Sequence, residues 1–227
     1  MQIVAVSDLH GWLPGHMPRC DLLIIAGDIC PDGDRQLHWL DTEFRRWLAE
    51  APARHVIATW GNHDYAAEWG RVPALPCTFL VDEAIELEGI RLYGTPWTPE
   101  PANWAFSERE AVLAETFARI PDGTDLLISH CPPFGWCDLE RGTWHRGSVT
   151  LLDALDRVHP RLTICGHAHD ARGGTDAPWG RVENVAALNS RRKRRRRPFV
   201  TLRWPLISQE LGPAPSPSQG VPIADHG

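Results

Sequence analysis

Five short stretches of this chain are apolar at nearly every position, and each stops abruptly at a polar cluster. They are Ile3-Val4-Ala5-Val6, Leu22-Leu23-Ile24-Ile25-Ala26, Val56-Ile57-Ala58, Leu126-Leu127-Ile128 and Leu162-Thr163-Ile164-Cys165. Runs this short and this apolar suit strands covered on both faces. Between them the apolar period lengthens. Leu37, Leu40, Phe44, Trp47 and Leu48 fall on one face of a helix predicted over 34–49. Ser107 and Glu110 form a capping-box signature ahead of a helix that turns Val112, Leu113, Phe117 and Ile120 inward. Ser148 caps another, with Leu151, Leu155 and Val158 on one side. Alternating strands and helices predict an α/β fold. The 227 residues suffice for a single domain, and no linker or internal repeat divides them.

The other segments carry weaker signals. Residues 65–77 read as a loop or short irregular helix, and 85–92 as a β-hairpin turning at Gly89. Residues 131–147 read as a loop, and 182–188 and 199–204 as the last two strands. From Gly212 the chain is mostly Pro, Ser, Gln and Gly, which predicts a disordered tail over 212–227 behind a domain of 1–211.

The chemistry lies where the five strands stop. Their ends present Asp8-x-His10, Gly27-Asp28, Gly61-Asn62-His63-Asp64, His130 and Gly166-His167-x-His169. C-terminal strand ends are where an open α/β sheet keeps its reactive groups. Gly-Asn-His-Asp alone equally suits a turn, so the set matters more than any member. Asp8, His10, Asp28, Asn62, His130, His167 and His169 supply carboxylate, amide and imidazole donors. That mix suits Mn, Fe, Zn or Ni rather than Ca. Seven ligands are too many for one tetrahedral ion and fit two ions sharing a carboxylate, about 3.5–4 Å apart.

In this order the motifs resemble those of the calcineurin-like metallophosphoesterases: D-x-H, G-D, G-N-H-[DE], H and G-H-x-H. The resemblance covers about residues 1–205. Within the family the chain is similar to the brain-type metallophosphoesterase-domain proteins, through Tyr93-Gly94-Thr95-Pro96-Trp97-Thr98-Pro99 and through His130-Cys131-Pro132-Pro133-Phe134-Gly135 followed by Asp138. The resemblance implies a four-layer α/β/β/α sandwich with two divalent ions at the strand ends. Asp8, His10, Asp28 and His169 would hold the first ion, and Asp28, Asn62, His130 and His167 the second, with Asp28 bridging. Some members of that subgroup carry Gly in place of the first His of G-H-x-H and lack activity. This chain keeps His167, which implies an intact site.

The expected function is therefore that of a dinuclear metal-dependent phosphoesterase, with manganese the foremost metal. The expected substrates are cyclic nucleotides or nucleotide-like phosphodiesters, attacked by a metal-bridging hydroxide. His63 is expected outside the metal shell as general acid, with Asp64 placed to orient it. A phosphomonoesterase, a nuclease, and a nucleic-acid-binding protein with a non-catalytic metal site are the alternatives.

Composition adds localisation and partners. No apolar run reaches 18 residues, so no membrane span is expected. No signal-peptide pattern precedes the first strand, and the six cysteines suggest no disulfide framework, so a cytoplasmic protein is expected. Cys30, Cys131 and Cys165 flank the site motifs and read as small packing residues. Trp97, Trp136 and Trp144 read as loop-packing residues near the site. Seven of the 23 basic residues run consecutively over 191–197, against 29 acidic residues in the chain. This segment is expected to be an exposed loop between the last two strands, and a possible contact for nucleic acid.

Overall fold

The computed structural model describes residues 1–99 and 103–206. The domain limit at 211 and the tail expected over 212–227 lie outside the described residues. In chain order the elements begin with β1 (Gln2–Val6), β2 (Cys20–Ala26), α1 (Gln36–Trp39), α2 (Arg45–Ala49), β3 (Ala53–Thr59), α3 (Tyr65–Glu68) and β4 (Thr78–Phe79). Then come β5 (Glu83–Leu87), β6 (Ile90–Thr95), α4 (Glu110–Phe117), β7 (Leu126–Ser129), β8 (Leu139–Glu140) and β9 (Trp144–His145). The described elements end with α5 (Val149–Val158), β10 (Leu162–Cys165), β11 (Gly173–Ala177), β12 (Gly180–Asn184) and β13 (Val200–Arg203).

These strands form two large sheets, ordered β13-β1-β2-β3-β4 and β11-β12-β10-β7-β6-β5. β1, β2 and β3 are mutually parallel, as are β6, β7, β10 and β12. Alternation along each apolar strand assigns its two faces. Ile3 and Ala5, with Leu22, Ile24 and Ile57, pack between the sheets against Leu92, Leu126, Ile128, Leu162 and Ile164. Val4, Val6, Leu23 and Ile25 point the other way, onto Leu40, Phe44 and Leu48. Tyr93 and Leu127 of the second sheet meet Leu113 and Phe117 of α4 and Leu151, Leu155 and Val158 of α5. Helix, sheet, sheet and helix thus stack as four layers, and the central strands β1, β2, β7 and β10 are almost wholly apolar because both faces are covered.

Three local expectations need correction. A π turn at Leu40–Phe44 separates α1 from α2. Its extra residue rotates α1 relative to α2, so Leu37 is 40% exposed while Leu40, Phe44 and Leu48 are buried. In α4, Val112 is also exposed, because its neighbour Leu113 takes the inward direction. Nor does Ser107 cap that helix. Its hydroxyl pairs with Thr98 Oγ1 and the Ala105 carbonyl. Glu110 instead serves α5, accepting from the Ser148 hydroxyl and the Val149 and Thr150 N–H groups. Ser148 itself caps α5 as expected, accepting from Leu151 N–H.

Candidate metal centre

The parallel strands deliver all five motifs to one edge, at the C-terminal ends of β1, β2, β3, β7 and β10. Just beyond β1, Ser7 bridges to Ala186, which follows β12, and so joins the two sheets there. The backbone turns sharply as it leaves the strands. Asp8, His10, Asp28 and His167 all have left-handed φ, at 54°, 43°, 52° and 64°. Glycine is needed where strand ends touch. A Cβ on Gly61 would overlap the Asp28 backbone nitrogen and Oδ1, and one on Gly166 would overlap Ser7 Oγ and Asp8 Oδ2.

The seven predicted ligands converge. In one group, Asp8, His10, Asp28 and His169 each offer a donor atom within 4.8 Å of the others. His169 Nε2 lies 3.1 Å from Asp8 Oδ1 and 3.2 Å from His10 Nε2. In the other group, Asn62 Oδ1 lies 3.0 Å from both His130 Nε2 and His167 Nδ1. Asp28 stands between, with Oδ2 3.4 Å from His10 Nε2 and Oδ1 3.4 Å from His130 Nε2. Outer partners hold the rings: His130 Nδ1–H donates to the Ala26 carbonyl and His169 Nδ1–H to the Asn189 carbonyl, which leaves each Nε2 facing the site.

The donor set fits divalent cations. Asp8 and Asp28 are 0% and 2% exposed, and their ion-pair partners among the described residues are histidines alone. Two buried carboxylates without Lys or Arg call for another positive charge. Burial works against ionising Asp8, yet His169 holds its carboxyl below the ordinary range. Burial works against ionising Asp28 too, and His130 and His10 outweigh it. Burial pushes the His10 imidazole down to about 3, so its nitrogen is neutral and available to a cation. For His130 burial opposes charge, but Asp28 pushes the imidazole up to about 9. His10 Nε2 and His169 Nε2 lie 3.2 Å apart, and a cation held by both would reconcile their lone pairs.

His63 sits at the rim of this cluster, half-buried, with Nε2 4.0 Å from Asp28 Oδ2. Burial lowers its imidazole from the ordinary value, against the pull of Asp28. The expectation that Asp64 orients it is not met. Asp64 is fully buried and its oxygens accept from Ile29, Cys30 and Gly61 N–H at 2.8–3.2 Å, so it splints the ends of β2 and β3 together. Asp32 takes the orienting position, 3.3 Å from His63 Nδ1, and the Trp104 ring meets the imidazole edge-on at 4.4 Å. Neither residue was legible: Asp32 lies in a Pro-Asp-Gly turn, and Trp104 in an irregular segment. The three tryptophans singled out earlier differ. Trp97 donates to Asp82 and Trp136 packs on Trp179, whereas Trp144 is exposed.

The basic segment 191–197 is the loop between β12 and β13, and it lies against the metal centre. Arg195 donates to the His169 carbonyl at 2.7 Å, Arg192 faces Asp32 at 3.9 Å, and Arg194 covers the Trp12 ring.

Comparison with known proteins agrees with this geometry. Metallophosphoesterase domain-containing protein 1 of Homo sapiens, and its Mus musculus counterpart, are 32% identical over 203 residues. The match takes in 76% of this chain and 61% of theirs, so the chain spans about three-fifths of the length of these relatives. The structure of phosphopantetheinyl hydrolase from Mycobacterium tuberculosis superposes with a TM-score of 0.53 at 19% identity, over 94% of this chain and 98% of that one, a likeness of fold. Residues 1–171 match the calcineurin-like phosphoesterase family model, and the chain belongs to the calcineurin-like phosphoesterases.

Proposed function

We propose that the chain hydrolyses phosphodiesters at a dinuclear divalent-metal site, acting on nucleotide-like diesters of which cyclic nucleotides are the smallest. The observation that carries this reading is the placement of Asp28, whose two oxygens face the two ligand groups at 3.4 Å each. Asp8, His10 and His169 would hold one cation and Asn62, His130 and His167 the other, with Asp28 shared. Two bound cations would supply an acidified water and counter-charge for the phosphoryl oxygens. Outside both groups, His63 is positioned to give a proton from Nε2 to the leaving oxygen. Asp32 fixes Nδ1 and favours the charged ring.

Nitrogen and oxygen donors without thiolate support manganese. No helix among the described residues is long and apolar enough to cross a membrane. Among the described residues no cysteine forms a disulfide, and four of the six are buried, which supports a reducing, cytoplasmic setting.

The test is turnover of a chromogenic phosphodiester before and after chelation, followed by a panel of cyclic nucleotides, mononucleotides and dinucleotides. Chelation should abolish turnover and Mn²⁺ restore it. Full turnover by metal-stripped protein refutes the metal reading, and preference for mononucleotides over every diester refutes the phosphodiesterase one.

A further inference from the structure

Beside the metal centre lies a cleft of about 600 Å³, lined by Arg141, Asp170, Asn189, Ser190, Arg191 and Lys193. Its link to the centre is direct. Asn189 accepts from His169 Nδ1–H through its carbonyl, and Asp170 follows His169 in the chain. The wall is built rather than floppy. Asn189 Oδ1 accepts from Arg191 N–H at 3.1 Å and Lys193 N–H at 2.9 Å, and Arg195 N–H returns to the Ala187 carbonyl. This turn sorts the basic run. Arg192, Arg194 and Arg195 are occupied by Asp32, Trp12 and the His169 carbonyl. Arg191 and Lys193 go to the cleft, and among the described residues no carboxylate lies within ion-pair distance of either.

Three cations therefore line the cleft against a single carboxylate, Asp170. That carboxylate is partly engaged, since Asp170 Oδ1 accepts from Ser190 N–H at 3.1 Å. The Arg141 guanidinium also lies over the exposed Trp144 ring at 5.8 Å, and cationic groups without carboxylate partners around an open recess attract a multivalent anion. Its position beside His169 places such an anion on the molecule whose phosphodiester occupies the metal centre. A single-phosphate substrate has nothing to put there, whereas a nucleic-acid strand carries its next phosphate.

We propose that Arg141, Arg191 and Lys193 form a subsite for a second phosphate, so that the enzyme prefers a nucleotide strand bearing two or more phosphates over a cyclic mononucleotide. Cleavage of such a strand rests on the phosphodiesterase reading above, while its affinity rests on the cleft alone.

The test compares a thymidine dinucleotide with and without a 5′-phosphate, which share one scissile bond and differ in the second phosphate. The Mn²⁺-loaded chain should favour the phosphorylated form at least tenfold in kcat/KM. Arg191→Ser with Lys193→Ser should reduce that preference below threefold, mainly through KM. Binding of a fluorescein-labelled oligothymidylate, followed by anisotropy across salt concentrations, is the second arm. The double variant should bind at least tenfold more weakly and lose about one to two from its salt slope, as one or two phosphate contacts disappear. If neither dinucleotide is cleaved but oligothymidylate binding falls as stated, the diesterase reading fails and the subsite stands. A preference that survives in the double variant overturns the subsite, as does oligothymidylate binding that is indifferent to both residues. Capture of the chain by phosphatidylserine vesicles together with such indifference would assign the cations to a membrane surface instead.

Discussion

Asp64 is the side chain whose role the structure most changes, and its removal separates scaffold from catalyst. In Asp64→Ala the N–H groups of Ile29, Cys30 and Gly61 lose their acceptor within a buried turn. Each buried donor left unpaired costs about 1–3 kcal/mol. Even at the low end, three donors come to about 3 kcal/mol, a large part of the roughly 5–15 kcal/mol that holds a domain together. For a chain of this length that corresponds to a fall in Tm of about 6–12 °C. Asp64→Asn keeps one acceptor oxygen but turns an amide N–H₂ towards a backbone donor, so it should fall in between. Asp32→Ala is the control. Asp32 is 71% exposed, and its loss should move Tm by no more than about 2 °C while removing the partner of His63 Nδ1. The assay is thermal unfolding by circular dichroism, on metal-stripped protein so that lost cation binding does not enter the difference. If Asp64→Ala melts within 2 °C of the parent and instead slows diesters with poor leaving groups, Asp64 acts through His63 and the splint reasoning is wrong.

Three further outcomes follow from the same geometry. Asp28→Ala should lose both cations, read as metal content by mass spectrometry, with diester turnover abolished; retention of two ions per chain would show that Asp28 does not bridge. His63→Ala should cut turnover about 10²–10⁴-fold for alkoxide leaving groups such as a ribose hydroxyl, and much less for nitrophenolate. Equal losses at unchanged metal content would take the proton-donor role from His63. Glu110→Ala should unfold at lower temperature by about 2–8 °C, since α5 loses an acceptor for Val149 and Thr150 N–H and for two hydroxyls, worth about 1–2 kcal/mol. A Tm change below 1 °C would mean that water replaces it at no cost.

What the sequence displayed and what it concealed divide by range. Uninterrupted apolar runs exposed β1, β2, β7 and β10, because burial on both faces is written into consecutive residues. The motifs at their ends marked the seven candidate ligands, because a glycine directly before a donor, as in Gly27-Asp28, Gly61-Asn62 and Gly166-His167, or two donors one residue apart, as in Asp8-x-His10, describe one turn. β11 and β4 went unseen. β11, Gly173-Gly174-Thr175-Asp176-Ala177, pairs along a sheet edge with no apolar run to announce it, and β4 is two residues long. Glu110 looked like half of a local capping box, yet its acceptors serve residues nearly 40 positions away. Asp32 and Asp64 are both carboxylates near His63 in sequence or space. Only the fold decides that the adjacent one points into backbone and the distant one meets the imidazole.

The ligands also show how site and fold depend on each other. Asp8, His10, Asp28 and Asn62 come from the first sheet, and His130, His167 and His169 from the second. The bonds that restrain the left-handed backbone at these positions cross between strands. Asp8 N–H donates to the Gly27 carbonyl and His10 N–H to the Asp28 carbonyl, each at 3.0 Å. His167 N–H donates to Asp8 at 3.1 Å, from one sheet to the other. A left-handed residue costs about 1–2 kcal/mol on its own, so these turns hold only where neighbouring strands supply acceptors. Those acceptors are in place only once Ile3, Leu22 and Ile24 have packed on Leu126, Ile128 and Ile164. The interlayer core therefore sets the separation of the candidate ligands, and one of its members, Ala26, holds His130 directly through its carbonyl. Cations held across the seam would in turn favour the docked sheets over the unfolded chain by mass action.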